Sequence, residues 1–170
     1  MGYRSQRRAV FIRRSFPRSN SVGLRGRYLV GKPNPSLGSD EQLASDVLPA
    51  AVSDRPGISQ LHLSEEGKSS NSLRGMGPAQ PVIAVTLDSL LDHFSTPQVL
   101  KIDVEGMEYA VLAGVRKVLQ ARPVVFCEVN DHHEAIAQLF RDANYDFYAA
   151  RSPDRQSLKR PSRDTLALPR

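Results

Sequence analysis

Apolar and polar positions alternate most regularly over residues 99–105, where Leu100, Ile102 and Val104 interleave with Lys101, Asp103 and Glu105. Period two predicts a strand with one apolar face and the three charged side chains on the other, Asp103 and Glu105 nearest its end. Gly106 then lets the chain turn. Beyond it Met107, Ala110, Val111, Gly114, Val115 and Val118 recur at helical spacing. Glu108 falls in the first turn of that helix and Arg116 and Lys117 in the last, the arrangement its dipole favours. Pro123 opens a second apolar run, Val124 to Val129, which contains Glu128 near its end and suits a buried parallel strand beside the first. The segment therefore reads as strand, carboxylate loop, helix, strand. Open α/β sheets place their ligand sites at the carboxyl ends of such strands.

The pattern is weaker elsewhere. Residues 1–27 are rich in Arg and Ser with one apolar cluster, Ala9 to Ile12, and are expected to lack structure of their own. Residues 27–31 predict a short strand stopped by Lys32-Pro33-Asn34-Pro35, residues 35–48 a poor helix, and residues 47–53 a strand centred on Ala50-Ala51-Val52. Leu61-His62-Leu63 alternates like a half-exposed strand, and residues 67–81 read as loop. Thr86 or Asp88 is placed to cap a short helix through Phe94. Asp131 and Glu134 have capping-box spacing ahead of Ile136, Leu139, Phe140 and Ala143, which predicts a helix to about Asn144. Residues 145–150 give a last strand. Residues 151–170, with three prolines and alternating charge, are expected to be disordered.

Strands alternating with helices argue an α/β fold with a parallel, doubly wound, Rossmann-like sheet. At 170 residues and 40% hydrophobic content the chain builds one domain at most, spanning about 28–150 between basic ends at 1–27 and 151–170. The formal charge of +5 is not spread over that domain: residues 1–32 carry +9, residues 151–170 carry +4 and residues 33–150 carry −8. The folded part is acidic, and the sequence holds no zinc-finger spacing and no RNA-recognition motif, so no specific nucleic acid is expected as a partner. The one cysteine, Cys127, lies in an apolar run and reads as core. No segment has the length of an apolar membrane span or a secretory signal, so a soluble, cytoplasmic protein is expected, with no membrane partner.

Five landmarks in order resemble the FkbM-type S-adenosylmethionine-dependent methyltransferases over roughly residues 28–150. They are Ala51-Val52-Ser53-Asp54-Arg55-Pro56-Gly57 with Leu61-His62-Leu63, Val85 to Leu91, Leu100 to Glu108, Val111-Leu112-Ala113-Gly114, and Pro123 to Val129. The resemblance implies a Rossmann-like methyltransferase sheet, S-adenosylmethionine as cofactor, and methylation of a hydroxyl on a sugar or other small-molecule acceptor. The sheet is expected to be N-terminally incomplete. A nucleotide normally rests on a Gly-rich turn after the first strand, with an acid ending the second; here Gly23-Leu24-Arg25-Gly26 and Gly75-Met76-Gly77 read as loop glycines. Lys32 stands where the family has an acid before Pro-Asn-Pro, and an ammonium cannot accept from a ribose diol. The alternative is thus a truncated, catalytically inactive methyltransferase remnant.

Within that resemblance Asp103 and Glu105 are the candidate catalytic carboxylates, orienting the acceptor hydroxyl, favouring the sulfonium or acting as base. The competing account has Asp103 pairing with Lys101 and Glu105 capping the next helix. Glu128 ends the neighbouring strand and joins the catalytic candidates, or bonds loop amides. Ser53 and Asp54 end the presumed third strand, where the cofactor's adenine is expected, or form a plain turn. His132 and His133 precede the last helix; adjacent residues do not share a helix face, so solvated histidines are expected and no metal. A metal-dependent hydrolase using Asp103, Glu105, Glu128 and His132 is the remaining reading.

Overall fold

The computed structural model describes residues 9–13, 27–31, 45–62, 73, 77–104, 106–152, 154 and 156–170. In chain order the elements are β1 (Ala9–Arg13), β2 (Arg27–Gly31), β3 (Ser45–Pro49), β4 (Ala51–Val52), β5 (Gly57–His62), β6 (Ala79–Val85) and α1 (Leu87–Leu90). They continue with β7 (Val99–Ile102), α2 (Glu108–Ala113), α3 (Arg116–Gln120), β8 (Val124–Glu128), α4 (His133–Asp142), β9 (Tyr145–Ala149) and β10 (Asp164–Pro169). The result is a mixed α/β fold with two mixed sheets, a large one in the order β3-β2-β1-β7-β8-β10-β9 and a small one in the order β4-β6-β5.

The large sheet is parallel across β1, β7 and β8. On one side β1–β2 and β2–β3 pair antiparallel, and on the other β10 runs antiparallel between β8 and β9. The all-parallel sheet expected from the sequence is met only at its centre. Leu100, Ile102, Val125 and Cys127 point to one face and are buried there, in a single cluster with Leu87 and Leu90 of α1, Val111 and Leu112 of α2, Val118 and Leu119 of α3 and Ile136 and Phe140 of α4. The other face of β7 and β8 carries Lys101 and Phe126, both partly exposed. Burying each large aliphatic side chain contributes about 1.5–3 kcal/mol, against about 0–1 kcal/mol for an exposed ion pair, so the helix-covered face holds the domain together.

Each basic end holds one strand where none was expected, and residues 1–8 and 14–26 lie outside the described residues. Ala9–Arg13 pairs with β7, and Asp164–Pro169 is an interior strand with Thr165 and Ala167 buried. The poor helix expected over 35–48 is replaced at Ser45–Pro49 by β3, and the predicted strand over 47–53 divides at Ala50 between the two sheets. The loop expected over 67–81 gives way at Ala79 to β6. Pro81 is tolerated because β4 reaches only Ala84 and Val85, so no neighbour on that side needs its missing N–H.

One helix was expected from Met107 to Val118, and two form. Thr86 caps α1, its hydroxyl accepting from the Ser89 N–H at 3.1 Å. Asp88 instead caps α3 from a distance in sequence, its carboxylate oxygens accepting from the N–H groups of Lys117 and Val118 at 3.0 Å each. A new N-terminus satisfied in this way lets the chain break at Gly114-Val115. α4 forms as predicted but without the capping box: His132 takes the N-cap in the left-handed region at φ 56°, and the Asp131 carboxylate accepts from the His132 N–H.

Tyr145 is fully buried against Phe140, and its hydroxyl donates to the Pro123 carbonyl at 2.9 Å. Burial pushes its phenol up to about 12, with Arg122 opposing. The native state therefore resists tyrosinate: this contribution is intact below the ordinary value of about 10 and is lost as pH rises from about 10 to 12. Urea titrations at pH 9, 10.5 and 11.5 should show a steeper alkaline loss of stability for the native chain than for Tyr145→Phe. Parallel pH profiles would refute the assignment.

Candidate functional site

Parallel pairing of β7 with β8 sets Ile102 opposite Cys127, so the next residues, Asp103 and Glu128, stand side by side at the carboxyl ends of the two strands. β1 lies on the other side of β7. From β1 the sheet runs out through β2 and β3, and from β7 it runs the opposite way through β8. Open α/β sheets bind ligands beyond the carboxyl ends of parallel strands such as β7 and β8.

The Asp103 carboxylate is partly buried and ion-paired with the Lys101 ammonium at 2.8 Å, which is the competing account of this residue. The Glu128 carboxylate accepts two N–H bonds from the Arg163 guanidinium, at 2.9 and 3.1 Å, on one oxygen. Glu105 lies outside the described residues, as does Lys32. Sequence reasoning missed Glu108 as part of this edge, treating it only as a helix-dipole residue. It is 1% exposed, and its carboxylate accepts from the Gly106 N–H at 2.9 Å and from the Asn130 amide at 3.5 Å. Gly106 has φ +83°, a backbone that glycine adopts without strain, so Glu108 fastens the turn that leaves Asp103. The available signal was a carboxylate two residues after a turn glycine. Cys127 is buried, and burial first, then the charges of Glu108, Asp103 and Glu128, hold its thiol well above the usual range. It remains protonated and packs as core.

Ser53 and Asp54 follow β4. The Ser53 N–H donates to the Val85 carbonyl at 2.9 Å and its hydroxyl to the Asp54 carboxylate at 3.0 Å. That hydroxyl chiefly, with Arg55 adding, holds the Asp54 carboxyl below its ordinary value. These two residues line a cavity of about 240 Å³ whose opposite wall is the Met107, Tyr109, Ala110 and Ala113 side of α2. Asp103 and Glu128 are not among its lining residues. The structure thus brings Ser53 and Asp54 together with α2, and Asp103 together with Glu128, as two separate groups.

Gly114 holds the end of α2 against the Ser53 segment. A Cβ there would lie 2.7 Å from the Ser53 carbonyl oxygen and 3.3 Å from the Thr86 Cβ. Only glycine lets the end of α2 come this close to the strand that carries Ser53. Gly114→Ala should cost about 1–3 kcal/mol and lower the melting temperature, because backbone on both sides must shift. An unchanged melting temperature would show that the approach is looser.

His132 stacks on Tyr109 with ring centroids 5.4 Å apart and lies 3.7 Å from the Asp131 carboxylate, while His133 contacts the Pro161 carbonyl through Nδ1. Among the described residues, which leave out Glu105, no three His, Cys, Asp or Glu side chains gather in a metal-binding group. None of the described helices is long and apolar enough to cross a membrane.

Residues 16–147 match the family model of the methyltransferase FkbM domain. No curated protein and no solved structure matches the chain. The match takes in both strand ends, the carboxylate loop and the Ser53-Asp54 cavity, and with most of the chain inside it, this protein belongs to the FkbM methyltransferase family.

Proposed function

We propose that this chain transfers a methyl group from S-adenosylmethionine to a hydroxyl oxygen of a small-molecule or sugar acceptor. The supporting observation is the cavity formed by Ser53, Asp54 and α2, within a methyltransferase family match that also takes in Asp103. The centre of the large sheet, parallel across β1, β7 and β8, is compatible with a Rossmann-like core.

The cavity suits one end of the cofactor. Asp54 offers a carboxylate to accept from an exocyclic amine or hydroxyl, and Met107, Ala110 and Ala113 offer an apolar wall for a planar ring. At about 240 Å³ it takes an adenine-sized fragment rather than the whole molecule. When bound, S-adenosylmethionine supplies an electrophilic methyl group on a sulfonium. Asp103 accepts a hydrogen bond from the acceptor hydroxyl, aligns its oxygen and takes its proton. Glu128, held by Arg163, offers its other carboxylate oxygen as an acceptor beside Asp103. Glu105 is proposed to share this role. A cytoplasmic location accompanies this reading.

Calorimetric titration with S-adenosylhomocysteine tests it, with saturable heat expected at micromolar to submillimolar ligand. No heat at millimolar ligand would overturn it and favour the inactive remnant, the reading to which Lys32 in place of an acid points.

A further inference from the structure

A second and larger cavity, about 390 Å³, lies between the start of α4 and the segment that leads into β10, lined by His133, Leu158, Lys159, Arg160, Pro161 and Ser162. It opens at the same edge of the sheet as the candidate site. Asp164 pairs with Glu128, and the Val129 N–H donates to the Arg163 carbonyl at 2.7 Å, so this segment ends beside Glu128.

Its cations have no counter-charge of their own. Three carboxylates of the neighbouring elements are engaged elsewhere: Glu134 with Arg141, Asp164 with Arg151 and Glu128 with Arg163. Among the described residues neither Lys159 nor Arg160 has an anionic partner. The segment carrying them is nevertheless pinned. Arg141 donates to the Lys159 carbonyl at 2.8 Å, His133 Nδ1 bonds the Pro161 carbonyl at 2.9 Å, and the Leu158 N–H donates to the Phe147 carbonyl at 2.9 Å. A fixed backbone removes the cost of ordering the segment and leaves only that of the two side chains. Arg supplies a planar fork for two phosphate oxygens and Lys a compact charge for a third.

We propose that this cavity binds the phosphate group of a phosphorylated small molecule, which, on the methyl-transfer reading above, is the acceptor. The volume exceeds what a phosphate needs and leaves space for a sugar-sized body.

Calorimetry on the full chain at low ionic strength tests this with inorganic phosphate, glucose 6-phosphate and glucose as probes. Phosphate and glucose 6-phosphate should bind and glucose should not. The exposed double variant Lys159→Ala, Arg160→Ala should melt at the native temperature and bind both anions at least tenfold more weakly. Absence of anion binding by the native chain, or equal binding by the double variant, would overturn the proposal. S-adenosylhomocysteine titrated in parallel separates the two readings: anion binding without it leaves this cavity assigned and removes the methyl-transfer reading, and the converse removes only this cavity.

Discussion

A chain ending at residue 155 should show no cooperative thermal transition, although it keeps all of the residues that match the family model, 16–147. The missing part contains β10, which lies between β8 and β9 and pairs with both. Without it each neighbour exposes an unpaired edge, which invites aggregation. The buried side chains of Thr165 and Ala167 leave the core, uncovering the Val125, Cys127 and Phe147 positions beside them. The ion pairs that Arg163 makes with Glu128 and Arg170 with Asp146 go with it. Losing two ladders and part of the core is comparable with the whole stability of a small domain, roughly 5–15 kcal/mol. Circular dichroism melting with size-exclusion chromatography measures it. A shortened chain that melts within a few degrees of the native one would show that β10 is an accessory strand.

The contrast between β10 and β7 shows what the sequence exposes. β7, α2 and β8 are local: an alternating run, a turn glycine and a helical stripe lie within thirty residues, and each supplies its own periodicity. In β10 only Leu166 and Leu168 alternate with Thr165 and Ala167, between basic residues and prolines. Such a segment becomes a strand through partners more than fifteen residues away, and composition cannot report them. The break between α2 and α3 was hidden for a related reason. Gly114 fits a helical stripe, and its close approach to Ser53 and the long-range cap from Asp88 exist only after folding. At the candidate site, Ser53, Asp54 and Asp103 were identifiable because they end strands. Glu108 was not, since a glutamate in a first helical turn is usually solvated, and here it is buried beneath a turn.

Asp103 should decide how the protein distinguishes a cationic from a neutral cofactor. S-adenosylmethionine carries a sulfonium charge that S-adenosylhomocysteine lacks, so a carboxylate facing the sulfur raises affinity for the first relative to the second. A charge pair about 4 Å apart contributes about 1 kcal/mol in water and about 4 kcal/mol near a protein surface. Asp103→Asn should therefore lower the affinity ratio of the two ligands by about fivefold or more and leave binding of the neutral one nearly unchanged. Stability should change little, because the Lys101 pair is partly exposed and such pairs contribute about 0–1 kcal/mol. Lys101→Met separates the two accounts of Asp103. Freed from its ammonium, a carboxylate that serves the ligand should favour the sulfonium more strongly, raising the ratio. If Asp103 only partners Lys101, neither substitution moves the ratio, and paired titrations of the native chain and the two variants with both ligands would show that directly.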